Sequence, residues 1–168
     1  MANTYVLINS YTVGVGGATS ITFNSIPQIY TDLLIKISAK DADTSGALTA
    51  LSFNGLTTNL SSKRIRGNGS VANSGSLASN IYIASQAGSY TADVFSNSET
   101  YIPNYTSANY KSVSDDSTGE NNATASEMQL AVGLWNSTAA ITSITLTPAV
   151  SPYARYSTAY LYGINNSI

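Results

Sequence analysis

From Met128 to Ala154 the chain reads MQLAVGLWNSTAAITSITLTPAVSPYA, without one charged side chain. A neutral stretch of that length belongs either in a lipid bilayer or in a protein interior, and its finer pattern chooses between them. A spanning helix needs about 20 consecutive, mainly apolar residues. Here Asn136, Ser137 and Thr138 break the middle, Pro148 and Pro152 break the end, and Thr142, Ser143, Thr145 and Thr147 would have to lie in lipid. Period two fits better. Leu130, Val132 and Leu134 alternate with Gln129, Ala131 and Gly133, and Ile144 and Leu146 alternate with Thr145 and Thr147. Two strands joined by the turn-forming run Trp135-Asn136-Ser137-Thr138 are expected, with a core on one side and a neutral surface on the other.

The same alternation recurs along the chain. Strand-like runs cover residues 5–13, 20–23, 32–39, 48–53, 81–85, 93–102, 107–114, 127–135, 141–147 and 157–164, and no segment carries a sustained helical stripe. Gly14-Val15-Gly16-Gly17, Asn54-Gly55 and Gly67-Asn68-Gly69 punctuate them. About ten short strands at this spacing predict an all-β, antiparallel β-sandwich with a jelly roll as the leading topology. One domain spanning residues 1–168 is expected, long enough to bury roughly 70% of its unfolded surface. The piece from Lys63 to Asn80 reads as a long ordered loop or a short helix.

Charge excludes several classes of partner. Only 10% of the residues are charged, seven basic and nine acidic, so solubility rests on hydroxyls and amides. Nucleic acid binding wants a concentrated basic stripe, and anionic membranes want a polybasic segment. Neither is present. Lys63, Arg64 and Arg66 form the one basic cluster, readable as a solvated strand or turn or as a contact to a protein partner. The N-terminus MANTYVLINSY has no basic region followed by a long apolar run, so synthesis without a signal peptide is expected.

Catalytic candidates are few. The chain contains no cysteine and no histidine, which removes disulfides, thiol nucleophiles and imidazole proton transfer. Asp115 and Asp116 are adjacent, so on a strand they would point to opposite faces, and with Glu120 they suit a hairpin turn in SDDSTGENN. Asp41, Asp43, Ser45 and Gly46 occupy the first, third, fifth and sixth positions of a calcium loop, but the twelfth is Ser52 and the carboxylate that would close the cage is missing. No catalytic residue, cofactor site or metal site is assigned, and no enzyme activity is expected. The main binding signal is tyrosine, twelve in all, with Tyr101, Tyr105 and Tyr110 close together in YIPNYTSANY. With Arg64 and Arg66 these three are the candidate partner contacts.

Several stretches resemble a family of small structural proteins of tailed bacteriophages, frequent in phages of aquatic bacteria and cyanobacteria. The matching pieces are YVLINSYTVG, ITFNSIPQIYTDLLIKISA, SFNG, RGNGS, ETYIPNYTS, KSVSDDSTGENNATA, GLWNSTAAITSITLTP and YSTAYLYGI, in order along the chain. The resemblance implies a β-sandwich made in the host cytoplasm and carried on the virion, and it brings no catalytic residue. It implies a capsid decoration or cement protein that binds the major capsid protein or other virion proteins, with a homotrimer favoured. The alternative is a receptor-binding or fibre-tip module that holds host glycans. Neither nucleic acid nor membrane is an expected partner.

Overall fold

A computed structural model describes residues 4–42, 47–86, 94–120 and 126–165. These contain twelve strands and no helix: β1 (Tyr5–Thr12), β2 (Ile21–Phe23), β3 (Asp32–Ala39), β4 (Ala47–Phe53), β5 (Leu60–Gly67), β6 (Ala72–Leu77), β7 (Ile81–Gln86), β8 (Ser96–Ile102), β9 (Lys111–Glu120), β10 (Ser126–Trp135), β11 (Ile144–Pro148) and β12 (Thr158–Ile164). The chain folds back on itself. β1 pairs with β12, β2 with β11, β3 with β8 and β4 with β7, all antiparallel. Successive pairs fall alternately into two sheets. The larger has the order β1-β12-β3-β8-β9-β10-β5-β6 and the smaller β2-β11-β4-β7, so the hairpins β5–β6 and β9–β10 extend only the larger one.

Alternation along each strand makes the sandwich. Leu33, Ile35 and Ile37 of β3 point inward and meet Ile21 and Phe23 of β2, Leu51 and Phe53 of β4, Ile81 and Ile83 of β7, and Ile144 and Leu146 of β11. Each such side chain contributes about 1.5–3 kcal/mol by leaving water. Trp135 closes one end of the core with its ring centroid 5.3 Å from that of Phe53. The β4–β5 link starts with a tight turn at Asn54 and Gly55, both at positive φ, closed by the Leu56 amide donating to the Phe53 carbonyl at 2.8 Å. Asn54 then serves the core rim as well: its Oδ1 accepts from the Thr142 and Ser143 amides, and its Nδ2 donates to the Ala140 carbonyl.

Three expectations are corrected. Residues 63–80 are neither a loop nor a helix but most of the β5–β6 hairpin, paired from Ser62↔Leu77 to Gly67↔Ala72. The strand count rises to twelve accordingly. Asp115 and Asp116 lie within β9 rather than at a turn, and they do point to opposite faces, Asp115 buried and Asp116 exposed.

Two glycines carry the packing of strand against neighbour. A Cβ on Gly133 would meet Ile81 Cγ2 at 2.6 Å, and one on Gly163 would enter the Tyr30 ring at 2.3 Å. Gly133→Ala and Gly163→Ala are each expected to cost about 1–3 kcal/mol through overpacking. For a domain of this size that lowers the midpoint by roughly 2–4 °C per kcal/mol in a thermal melt.

Candidate binding face

The central strands of the large sheet form a ladder whose register sets the outward side chains in rows. One row runs Leu34, Tyr101, Ser114, Val132 and Lys63 across β3, β8, β9, β10 and β5. The next runs Lys36, Glu99, Asp116, Leu130 and Ile65. On β10 the polarity is the reverse of a normal surface strand. Glu127, Gln129 and Ala131 face inward and are buried, while Met128, Leu130, Val132 and Leu134 are 52%, 41%, 56% and 41% exposed. Ile65, directly across from Leu130, is 57% exposed. Scattered apolar surface residues are ordinary, but five aliphatic side chains on two adjacent strands make a patch.

Beside that patch runs a trough. The outward residues of β9 are Ser112, Ser114, Asp116 and Thr118, short side chains between taller neighbours on β8 and β10. The resulting groove holds about 790 Å³, with Tyr101, Glu99 and Lys36 along one wall and Leu130 and Val132 along the other. Lys36 Nζ lies 2.8 Å from Glu99 Oε2. The hydrogen bond and charge of Glu99 raise the Lys36 pKa above the ordinary lysine value. Tyr101 donates its hydroxyl to Asp32 Oδ2 at 2.8 Å, and Asp32 Oδ1 accepts from the Asn104 amide at 2.8 Å. The wall tyrosine is thereby tied to a carboxylate that also fixes the turn after β8.

The inner side of the same strands is a polar network. Asp115 accepts from the hydroxyls of Ser98 and Thr100 and from the Ala84 amide, which belongs to β7 of the facing sheet. Ala84 has φ +48 and sits where the β4–β7 register shifts, so Asp115 fastens a bulge in one sheet to the centre of the other. Glu127 is paired with Arg66, and Gln129 Oε1 accepts from Arg64 Nη1 at 3.3 Å.

The five contacts expected from sequence are therefore dispersed. Tyr101 stands in the trough wall, and Tyr110 is exposed on the β8–β9 connection. Tyr105 is fully buried and donates its hydroxyl to the Pro27 carbonyl, so it serves the core and not a surface. Arg64 and Arg66 turn inward and hold Gln129 and Glu127. Leu130, Val132, Leu134 and Ile65 were not among the candidates, although the alternation on β10 was the signal. Among the described residues no cluster of three or more acidic, histidine or cysteine residues could hold a metal, and no helix is long and apolar enough to cross a membrane. Asp43, Ser45 and Gly46 of the calcium-like loop lie outside the described residues, while Asp41 is buried beside Tyr153. No family model, curated protein or solved structure matches this chain.

Asp115 gives the interior a pH dependence. Burial raises its pKa above the ordinary carboxylate value, against the opposing pull of the donors from Ser98, Thr100 and Ala84. With the folded pKa above the unfolded one, its contribution to stability is complete below the unfolded value and is lost as pH rises through the folded one. Urea unfolding across pH 4–7 should show wild type gaining on Asp115→Asn as the pH falls. Asp115→Ala, which leaves buried donors without an acceptor, is expected to cost about 1–3 kcal/mol at neutral pH.

Proposed function

We propose that this chain is a non-enzymatic structural protein of a tailed-phage virion, a decoration or cement protein that seats the outer face of its large sheet on the assembled head. The observation that carries the reading is the exposed aliphatic patch of Met128, Leu130, Val132, Leu134 and Ile65. Nothing in the folding of the sandwich requires those outward positions to be apolar, and a protein surface laid over them would remove their apolar area from water. A protein that binds only the assembled lattice stabilises it by mass action, which is adhesion without chemistry.

The strand pairing supports the same class. With the hairpins β5–β6 and β9–β10 set aside, the doubled-back chain leaves β1-β12-β3-β8 over β2-β11-β4-β7, which we read as a jelly roll with two inserted hairpins. A homotrimer on the head goes with this proposal, and light scattering of the free and released protein would measure it.

Head binding tests the reading. The purified protein should bind undecorated heads saturably and raise the temperature at which they release DNA. Ile65→Asp and Leu134→Asp place a charge where the partner would desolvate it, and each is expected to weaken binding at least tenfold, about 1.4 kcal/mol, while leaving the melt of the free protein nearly unchanged. Absence of saturable binding by the wild-type protein would overturn the cement reading.

A further inference from the structure

We propose that the trough along β9 is a binding site for a neutral, hydroxyl-rich ligand, a chain of sugar units lying parallel to the strand. The inference turns on the polar floor and the Tyr101 wall, which the head-docking reading does not use, and does not rest on that reading. The two surfaces share only the wall formed by Leu130 and Val132.

The chemistry of the trough selects the ligand class by its floor, its walls and its charge. Its floor offers Ser114 and Thr118 hydroxyls and the Asp116 carboxylate, acceptors and donors at the spacing of alternate strand residues, about 7 Å apart. These groups would be costly to desolvate beneath an apolar peptide, but they match a ligand that brings its own hydroxyls. Its walls are the Tyr101 side chain, held by Asp32, and the aliphatic Leu130 and Val132, which suit the C–H faces of sugar rings. The volume of about 790 Å³ lies within the range of ligand clefts.

Charge narrows the class further. Glu99 and Asp116 face each other directly across β8 and β9, a like-charge pairing that weakens a sheet and that a purely structural face would avoid. Two carboxylates repel an anionic ligand. A divalent cation is disfavoured as well, because Lys36 already occupies Glu99 at 2.8 Å and no third carboxylate joins the pair among the described residues. A neutral polyol remains, and carboxylate oxygens are strong acceptors for its hydroxyls.

The test is a printed array of neutral oligosaccharides of glucose, galactose, mannose and N-acetylglucosamine, followed by calorimetric titration of the strongest binder with the full chain. Wild type should bind at least one of them saturably. Asp116→Asn should weaken that binding tenfold or more, and it removes a like-charge neighbour, so folding is not at risk. Ser114→Phe, which fills the floor, should abolish binding, and its thermal melt reports whether the sheet has survived. Ile65→Asp should leave sugar binding intact while weakening head binding at least tenfold, so that failure of one reading is distinguishable from failure of the other. No saturable binding to any oligosaccharide, or binding that Asp116→Asn and a folded Ser114→Phe leave unchanged, would overturn the proposal.

Discussion

Four strands cannot cover eight. At strand spacings of about 4.8 Å the large sheet is about 34 Å across and the small one about 14 Å. The outer strand of the small sheet, β7, packs beneath β8, β9 and β10. Among the described residues no strand of the small sheet lies beyond it. Over β7 and past it the inward positions carry polar groups that largely pair with one another: Asp115 with Ser98, Thr100 and the β7 bulge, the Gln129 side-chain oxygen with Arg64, and Glu127 with Arg66, while the buried Gln129 Nε2 finds no partner among the described residues. Buried polar groups are tolerable when so partnered.

That arrangement explains why β10 looks inverted. With period two, a strand whose inward positions are Glu127, Gln129 and Ala131 must send Met128, Leu130, Val132 and Leu134 the other way. The outward set could have been polar at no cost to the interior. Its apolar character is therefore a property of the surface and not a demand of the interior. The neighbouring β9 reverses the choice, with short polar side chains outward, and the contrast between the two strands creates both the patch and the trough.

Much of this was legible in the sequence. Alternation located ten of the strands and excluded a membrane-spanning helix for residues 128–154, and the adjacency of Asp115 and Asp116 already required opposite faces. The β5–β6 hairpin was not legible, because Lys63, Arg64 and Arg66 mask the alternation of β5, and the edge strand β6 is held by backbone pairing rather than by apolar residues. Tyr101 and Tyr105 look equivalent in YIPNYTSANY, yet one lines a groove and the other is core, a difference set by the turn at Asn104, which has φ +48. Which face of β10 points inward depends on partners in Arg64 and Arg66 that only the register supplies. The juxtaposition of Glu99 with Asp116 depends in the same way on the β8–β9 register.

The central claim is that β10 turns its apolar side outward to meet a partner, and the absence of native cysteine makes it directly measurable. Val132→Cys and Ala131→Cys differ by one position on the same strand. Under a water-soluble maleimide, the cysteine at 132 should label rapidly in the free protein and the one at 131 should not. Saturating undecorated heads should then suppress labelling at 132. Rapid labelling at 131 with protection at 132 in the free protein would contradict the inverted strand, and labelling at 132 unchanged by heads would contradict its use as the docking face.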